Sequence, residues 1–303
     1  MSQPSRKKPR SEVEEVADHY NQRPEVGIKK RKESSIYRMK SFNNWVKSVL
    51  IRNHVKNGYK ILDLGCGKGG DLLKYSKSKI SFLVGADIAS VSIEQAKERY
   101  KSMKFDKFEA EFLVHDCFGK PIKEHLPKEF TADAVSMQFC MHYAFESEEK
   151  VRTMLKNVSE NMKTGGVLYA TVPNSYWIVK KLKASSGLKF GNSIYSIKFE
   201  SKDKFPIFGH KYWFCLEDAI DDCPEFLIHF PTLQKIAAEY KLELIFKKGF
   251  HEIYEAFCQH EEYNELLYRM NVISDPSNTH DPLIDPEQWE AAGIYLGCAF
   301  KKV

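Results

Sequence analysis

Residues 62 to 71 read LDLGCGKGGD, and the place of this stretch in the chain decides the fold. It follows the apolar run KILDL and precedes a helical pattern, so a glycine-rich turn connects a strand to a helix. The glycines at positions 65 and 67 permit a tight turn and let the backbone approach a ligand closely. This arrangement predicts an α/β unit that binds a ligand beyond the end of its first strand.

The same rhythm of strand and helix continues outward from this stretch. Before residue 174, we predict strands at 60–64, 82–87, 111–116, 132–138 and 165–172, and helices at 35–54, 91–100 and 148–162. After a lysine- and aromatic-rich insertion at about 174–230, we predict a helix at 233–240, a strand at 242–250, a helical stretch at 260–269, a polar loop at 273–286 and a final strand at 294–302. This alternation predicts a Rossmann-like α/β fold, with a mostly parallel seven-stranded sheet and helices on both faces.

Ahead of the first long helix, the chain is polar and basic. Residues 1–10 (MSQPSRKKPR) are predicted to form a disordered tail, whose RKKPR cluster resembles a nuclear localisation patch. A capping box of Ser11 and Glu14 predicts a short amphipathic helix after the tail. We therefore expect residues 11–303 to form a single domain that includes the insertion.

The net charge of +5 is concentrated in particular regions. Residues 1–40 contain eleven Lys and Arg against six Asp and Glu, and the remaining 263 residues contain 35 of each. Within the insertion, residues 180–211 hold eight lysines against Glu200 and Asp203. Two separate basic regions favour a polyanionic partner, but solvated lysines on a flexible tail and loop would give the same composition.

Cysteine usage and hydropathy exclude several classes of protein. The seven cysteines are scattered and form no C-x-x-C pair, which argues against a disulfide framework or a structural zinc site. No apolar run of about 18 residues is present and the first thirty residues are polar, so neither a membrane span nor a secretory signal is predicted. We expect a soluble, intracellular protein without a bound metal.

Four acidic residues lie on the turn or at the predicted strand ends: Asp63, Asp71, Asp87 and Asp116. Asp87 ends the second strand, 22 residues beyond Gly65, where a carboxylate can accept hydrogen bonds from both hydroxyls of an adenosine ribose. A dinucleotide would place its pyrophosphate at the helix N-terminus. S-adenosylmethionine has no phosphate, and its sulfonium cation favours nearby acids. The four acids therefore favour a methyltransferase over a dehydrogenase.

A series of motifs across residues 13–303 resembles the eukaryotic mRNA cap guanine-N7 methyltransferases, which are class I S-adenosylmethionine-dependent enzymes. In chain order the motifs are FNNWVKSVLI, LDLGCGKGGDLLK, DIASVSIEQAKERY, QFCMHYAFES, PNSYWIVKKL, FGNSIYSIKF, PEFLIHF and EQWEAAGIYLGCAF. The resemblance implies S-adenosylmethionine as the cofactor and no metal. It also implies methyl transfer to N7 of the terminal guanosine of GpppN-RNA, with S-adenosylhomocysteine as the second product.

By motif match, the resemblance assigns six residues to the cofactor: Lys47, Gly65, Asp87, Asp116, Gln138 and Tyr143. It implies that Asp87 takes the ribose hydroxyls and that Asp116 contacts the adenine end. The Lys47 ammonium would pair with the carboxylate of the cofactor rather than approach its sulfonium.

The resemblance assigns nine further residues to the capped end of the RNA: Asn43, Asn44, Lys68, Lys74, Arg99, Phe139, His142, Glu225 and Tyr295. The three basic residues match positions near the cap phosphates. His142, Glu225 and Tyr295 match the positions that read guanine, and Phe139 is an aromatic candidate to pack against the base.

The chemistry of guanine agrees with this assignment. The base presents an N1–H and an N2 amino group, which match the two oxygens of one carboxylate, so Glu225 is suited to reading it. Guanine N7 has a lone pair and no proton, so we expect catalysis by proximity and orientation without a general base.

Two alternative functions remain open at this stage. The chain could be another class I methyltransferase that acts on a small molecule or a protein, or a catalytically silent cap-binding protein of the same fold. For the cap methyltransferase we expect capped RNA as the partner and the nucleus as the location. Other capping enzymes, the RNA polymerase II machinery or an activating subunit are further expected partners.

Overall fold

Helices and strands alternate through most of the chain in the computed structural model, which describes residues 16–17, 21, 33–104, 107–279 and 282–303. The predicted basic tail and the capping box lie outside the described residues. The helices are α1 (Tyr37–His54), α2 (Leu72–Lys77), α3 (Ser90–Ser102), α4 (Glu148–Glu160), α5 (Ser175–Ala184), α6 (Phe230–Glu239), α7 (Phe250–Phe257), α8 (Glu261–Arg269) and α9 (Pro286–Ala292). The strands are β1 (Lys60–Leu64), β2 (Phe82–Asp87), β3 (Glu109–Val114), β4 (Ala132–Gln138), β5 (Met162–Pro173), β6 (Lys189–Gly191), β7 (Tyr195–Lys198), β8 (Lys211–Leu216), β9 (Ile220–Phe226), β10 (Leu242–Gly249) and β11 (Tyr295–Lys302).

Seven strands form the central sheet, in the order β10-β11-β5-β4-β1-β2-β3. The five strands from β5 to β3 are parallel neighbours, and β11 is antiparallel to both β5 and β10. The mostly parallel, seven-stranded α/β sheet predicted from the sequence is confirmed. Because the strand order reverses between β1 and β4, their carboxyl ends form the crevice in which sheets of this kind bind ligands.

Helix α1 is fixed by aromatic packing on one face of the sheet. It contacts α7, α8 and α9. The rings of its fully buried residues Phe42 and Trp45 stack with a centroid distance of 6.0 Å, and Phe42 also meets the edge of Phe250 at 6.2 Å. The same helix carries Asn43, Asn44 and Lys47, so this packing holds three of the predicted site residues in place.

The predicted insertion folds into α5 and a second sheet, which is antiparallel and has the strand order β6-β7-β8-β9. Burial alternates along β8, where Tyr212 and Phe214 are buried and Trp213 is partly exposed. Tyr212 pairs in register with Glu225 on β9. The insertion therefore delivers Glu225, a predicted guanine-reading residue, on a paired strand rather than on a loop.

Several boundaries differ from the sequence prediction by a few residues, and helix α7 (Phe250–Phe257) was not predicted, since Phe250 was assigned to the preceding strand. Strand β3 ends at Val114, so Asp116 lies two residues beyond the strand instead of at its end. The end of the predicted loop at 273–286 leads directly into α9, which the sequence analysis missed. Asp285 caps this helix by accepting a hydrogen bond from the Gln288 N–H, and proline occupies its first turn. The helix has only seven residues, and its Asp-Pro start is equally typical of a turn.

Candidate active site

A cavity of about 280 Å³ opens at the carboxyl ends of β1, β2 and β4. All six residues assigned to the cofactor line it: Lys47, Gly65, Asp87, Asp116, Gln138 and Tyr143. Phe139, from the cap set, lines the cavity as well, and so does Val16 from the N-terminal region. The fold thus gathers the predicted cofactor residues around one cavity, although their individual roles stay predictions.

The glycine-rich turn approaches β4 closely because glycine has no side chain. Gly65 and Gly67 have φ angles of +76° and +52°, and a Cβ at Gly65 would lie 2.6 Å from the Cys140 Sγ. Asp87 closes the turn, since its carboxylate accepts hydrogen bonds from the Gly67 N–H at 2.8 Å and the Ala89 N–H at 2.9 Å. Burial raises the pKa of Asp87, and these backbone donors oppose the rise. Each carboxylate oxygen keeps a lone pair that can accept a ribose hydroxyl.

The carboxylate of Asp71 binds two lysines, one assigned to the cofactor and one assigned to the cap. Lys47 Nζ donates to Asp71 Oδ2 at 3.0 Å, and Lys74 Nζ donates to Asp71 Oδ1 at 2.7 Å and to Asn44 Oδ1 at 3.0 Å. Burial alone would raise the pKa of Asp71, but the two ammonium groups hold it well below its usual range. Burial lowers the pKa of Lys74 to about 8. Asp71 was predicted beside the turn but not among the site residues.

Asp63 lies on β1, lines the same cavity and is only 4% exposed. Burial, and then the charge of Asp71, raises the pKa of Asp63 to about 7. The Tyr75 hydroxyl donates to Asp63 Oδ2 at 3.1 Å and accepts a hydrogen bond from the Tyr169 hydroxyl at 3.4 Å. Together with Asp87, these buried carboxyl groups suit a cationic ligand such as a sulfonium compound.

His142 and Glu225 face each other in the interior of the protein. His142 Nε2 lies 3.5 Å from Glu225 Oε1, and the two side chains are 3% and 5% exposed. This contact lacks hydrogen-bond geometry, and neither ring nitrogen of His142 has a hydrogen-bond partner among the described residues. The Tyr212 hydroxyl donates to Glu225 Oε2 at 2.5 Å. Tyr212 is absent from the predicted site, because only the pairing of β8 with β9 reveals this contact.

Phe139 follows β4 in a conformation that is unusual for a residue with a side chain. Its φ is +57°, a left-handed value that favours glycine. Its N–H donates to the Thr171 carbonyl at 2.9 Å, and its ring meets the Tyr295 ring edge to face at 4.9 Å. Such strain often accompanies function, because the surrounding contacts must hold the residue in place. In this conformation, Phe139 lies beside Tyr295, another predicted cap residue.

Four side chains carry a buried polar atom without a hydrogen-bond partner in the described part of the structure: Asn43, Gln95, His142 and Ser175. Buried polar atoms are nearly always paired, so each of these requires an explanation. Asn43 and His142 belong to the predicted cap set, and a bound ligand would satisfy them. Gln95 and Ser175 were not singled out in the sequence, where nothing distinguishes them from ordinary polar residues.

The remaining basic residues of the cap set lie on elements that border the cavity. Lys68 is part of the glycine-rich turn, and Arg99 lies in the last turn of α3. Ser92, in the first turn of α3, lines the cavity. Within the described ranges, no cluster of three or more His, Cys, Asp or Glu side chains could hold a metal ion, and no helix is long and apolar enough to cross a membrane.

Comparison with known structures identifies the fold. The CcbJ methyltransferase from Streptomyces caelestis superposes with a TM-score of 0.54 at 11% identity, covering 95% of this chain and 96% of that one. Geranyl diphosphate C-methyltransferase from Streptomyces coelicolor A3(2), solved with S-adenosyl-L-homocysteine, gives a TM-score of 0.51 at 12% identity and covers 96% of this chain and 98% of that one. The predicted class I methyltransferase fold is therefore confirmed.

Sequence comparison is more specific. Residues 3–303 match the family model of the mRNA (guanine-N(7))-methyltransferase domain. The mRNA cap guanine-N(7) methyltransferase of Schizosaccharomyces pombe is 46% identical over 297 residues, which cover 95% of this chain and 81% of the relative. That of Candida glabrata is 44% identical over 304 residues, which cover 95% of this chain and 73% of the relative.

Relatives from two strains of Cryptococcus neoformans serotype D are longer. Each is 42% identical and matches 95% of this chain, but the match covers only 41% and 47% of the relatives. This chain thus spans less than half the length of those proteins. Because the family model covers nearly the whole chain and relatives from several fungi agree with it, the chain belongs to the mRNA (guanine-N7)-methyltransferase family.

Proposed function

We propose that the protein transfers a methyl group from S-adenosylmethionine to N7 of the terminal guanosine of GpppN-RNA, giving m7GpppN-RNA and S-adenosylhomocysteine. One observation carries this proposal beyond family membership. His142 and Glu225 contact each other in the interior, and their chain neighbours Tyr143, Pro224 and Phe226 line the cavity of the predicted cofactor residues. Phe139 lines the same cavity and packs against Tyr295. A methyl donor and a guanine could thus be held against each other.

S-adenosylmethionine supplies the methyl group on a positively charged sulfur. In the proposed complex, Asp87 accepts the ribose hydroxyls with the lone pairs that its backbone donors leave available. Lys47 pairs with the carboxylate of the cofactor, and Asp116 contacts the adenine end. The buried carboxyl group of Asp63, when ionised, favours the positive charge of the sulfonium.

Glu225 reads the Watson–Crick edge of guanine in this proposal. A carboxylate oxygen can accept about two hydrogen bonds, so the bond from Tyr212 leaves room for the guanine N1–H and N2 amino group. The unpartnered ring nitrogens of His142 can contact the same base. Guanine N7 carries no proton, so these residues act by positioning the base and by electrostatic stabilisation of the cationic product.

The wider setting follows from the substrate. A cap methyltransferase acts in mRNA processing, and we propose that this one acts in the nucleus. The basic insertion would contact RNA phosphates, and other capping enzymes, the RNA polymerase II machinery or an activating subunit would be its protein partners. A methyltransferase for the rival acceptors, a small molecule or a protein, has no use for Asn43, Glu225 and Tyr295 as a set.

The test is transfer from labelled S-adenosylmethionine to RNA that begins with GpppA, ApppA or an uncapped end. The wild type should label guanine N7 of the GpppA substrate alone. Glu225→Gln presents one donor where guanine needs an acceptor, so it should lower kcat/KM at least about a hundredfold. Glu200→Gln, at an exposed residue of the insertion, is the matched control and should retain activity. Cofactor binding without transfer to any of these RNAs would refute the proposal and favour another acceptor.

A further inference from the structure

Gln95, on α3, carries a buried amide oxygen to which no described residue donates a hydrogen bond. Of the four side chains with such an atom, Asn43 and His142 belong to the predicted cap site, where a ligand is expected to satisfy them. Gln95 itself has no assigned role. A buried amide oxygen is seldom left unpaired in a folded protein, and a ligand that donates to it would explain why it is retained.

The position of Gln95 on α3 restricts what that ligand can be. Residues three and four apart lie on one face of a helix, so Gln95 shares a face with Ser92 and Arg99. Ser92 lines the cofactor cavity but Gln95 does not. Gln95 therefore lies one turn beyond the cavity, in the direction of Arg99, which is expected near the cap phosphates.

The glycine-rich turn packs against the same part of α3. A Cβ placed on Gly69 would lie 3.3 Å from the Cβ of Ala96, the residue after Gln95. Lys68, which is also expected near the cap phosphates, immediately precedes Gly69. Gln95 is thus located on the helix face that leads from Ser92 at the cofactor cavity to Arg99, and its chain neighbour Ala96 packs against the turn that carries Lys68.

The chemistry of an amide oxygen further restricts which group of the ligand can bind Gln95. Phosphate oxygens only accept hydrogen bonds, so they cannot satisfy Gln95 Oε1. The hydroxyls of a ribose next to the phosphates can donate to it. The ribose of the cofactor is expected at Asp87, which accepts a hydrogen bond from the Gly67 N–H of the turn.

We propose that Gln95 accepts a hydrogen bond from a ribose hydroxyl at the capped end of the RNA, so that the enzyme recognises ribose there. The inference rests on the proposed cap methyltransferase activity. The hydroxyl belongs either to the capping guanosine or to the first transcribed nucleotide, which flank the same triphosphate. In both cases Gln95 contacts the RNA substrate and takes no part in the transfer of the methyl group.

The experiment compares Gln95→Met with the wild type and with Glu94→Met. Methionine keeps the length of glutamine and lacks the amide. Because the amide oxygen has no partner in the protein, its removal should leave the thermal midpoint unchanged or higher. Glu94 neighbours Gln95 and has a 66% exposed side chain paired with Lys97, so Glu94→Met is the matched control.

Three RNAs are used: GpppA-RNA with every ribose intact, the same RNA with a 2′-deoxy capping guanosine, and the same RNA with a 2′-deoxy first nucleotide. The wild type and Glu94→Met should lose about tenfold in kcat/KM on one of the two deoxy substrates. On the intact substrate, the kcat/KM of Gln95→Met should be lower than that of the wild type by a similar factor. Its kcat/KM on that deoxy substrate should be no lower than on the intact one. The deoxy substrate that the wild type discriminates against and Gln95→Met does not identifies the ribose that Gln95 contacts.

Two results would overturn the inference alone. In the first, Gln95→Met is active and discriminates between the intact and deoxy substrates as strongly as the wild type. In the second, the wild type accepts both deoxy substrates as well as the intact one. Failure of the wild type to methylate even the intact substrate would instead overturn the proposed activity, and the inference with it.

Discussion

Asp63 is a residue whose charge changes close to neutral pH, because burial and the neighbouring Asp71 raise its pKa to about 7 from a reference of 3.8. Between these two values the folded protein binds one proton more than the unfolded chain does at this residue. The contribution of Asp63 to stability is therefore present at low pH and is lost as the pH rises to 7. The buried position of the carboxyl group is the physical cause.

We predict that Asp63→Asn removes this pH dependence. Between pH 5 and pH 8, the wild type should lose roughly 2 to 3 kcal/mol more unfolding free energy than the variant, measured by urea denaturation at both pH values. His54 titrates in part of the same range, because burial lowers its pKa to about 4, so the difference between the two proteins is the relevant quantity. Equal slopes in both proteins would contradict the assignment of this proton to Asp63.

The sequence placed Asp63 beside the glycine-rich turn but could not give its ionisation. Its environment comes from Tyr75 on α2 and Tyr169 on β5, which lie 12 and 106 positions further along the chain. The double role of Asp71 escaped prediction for the same reason, since Lys47 approaches it from α1. Local patterns identify which residues can bind a ligand, but charge coupling depends on contacts between distant segments.

At the scale of elements, the β8–β9 pair controls the orientation of Glu225. Tyr212 and Glu225 are opposite one another in the register of the two strands, and the Tyr212 hydroxyl binds Glu225 Oε2. This bond holds a buried carboxylate in one orientation before guanine arrives. Tyr212 is thus a positioning residue, because it acts on the RNA only through Glu225.

We predict that Tyr212→Phe raises the KM for capped RNA about tenfold and leaves the affinity for S-adenosylmethionine unchanged, because the pocket for guanine is affected and the cofactor cavity is not. Steady-state kinetics and direct cofactor binding measure the two quantities. Tyr195→Phe removes another buried hydroxyl from the same sheet, one that faces Glu290, and serves as the control. Equal effects of both substitutions would indicate a general loss of packing in the second sheet.

Element boundaries show where sequence patterns were sufficient. Strand β4 at 132–138 was predicted with its observed limits, and five of its seven residues are buried, as expected for a parallel strand that is covered on both faces. The second sheet was predicted only as irregular β-like fragments, since its short strands alternate buried and exposed residues that a lysine-rich composition obscures. The packing of β9 against the short 3-10 helix Met141–Glu146, which carries His142, could not be predicted from residue spacing.

Across the whole molecule, the lysines of the insertion provide charge outside the cavity. Lys180 and Lys183 are exposed on α5, and neither has a carboxylate partner among the described residues. If they contact RNA phosphates, their replacement by alanine should flatten the dependence of RNA affinity on salt. Each lost phosphate contact changes the slope of log K against log salt by about 0.7 for single-stranded nucleic acid.

We predict that the double variant Lys180→Ala, Lys183→Ala lowers this slope by about 1.4 for a capped RNA of some twenty nucleotides and leaves binding of free GpppA unchanged. Fluorescence anisotropy at several salt concentrations measures both. The double variant Lys235→Ala, Lys241→Ala removes two exposed lysines, one on α6 and one in the turn before β10, and should leave the slope as it is. An unchanged slope in the first variant would exclude α5 from the RNA path.

The ion pairs of Asp71 have a consequence for the enzyme as a whole. One carboxylate holds Lys47, expected at the cofactor, and Lys74, expected at the cap phosphates. A ligand that draws either lysine away alters the hold of Asp71 on the other. The two substrates are then energetically linked, and thermodynamics requires the linkage to be reciprocal. Whichever substrate binds first shifts the affinity for the second by the same factor in either order.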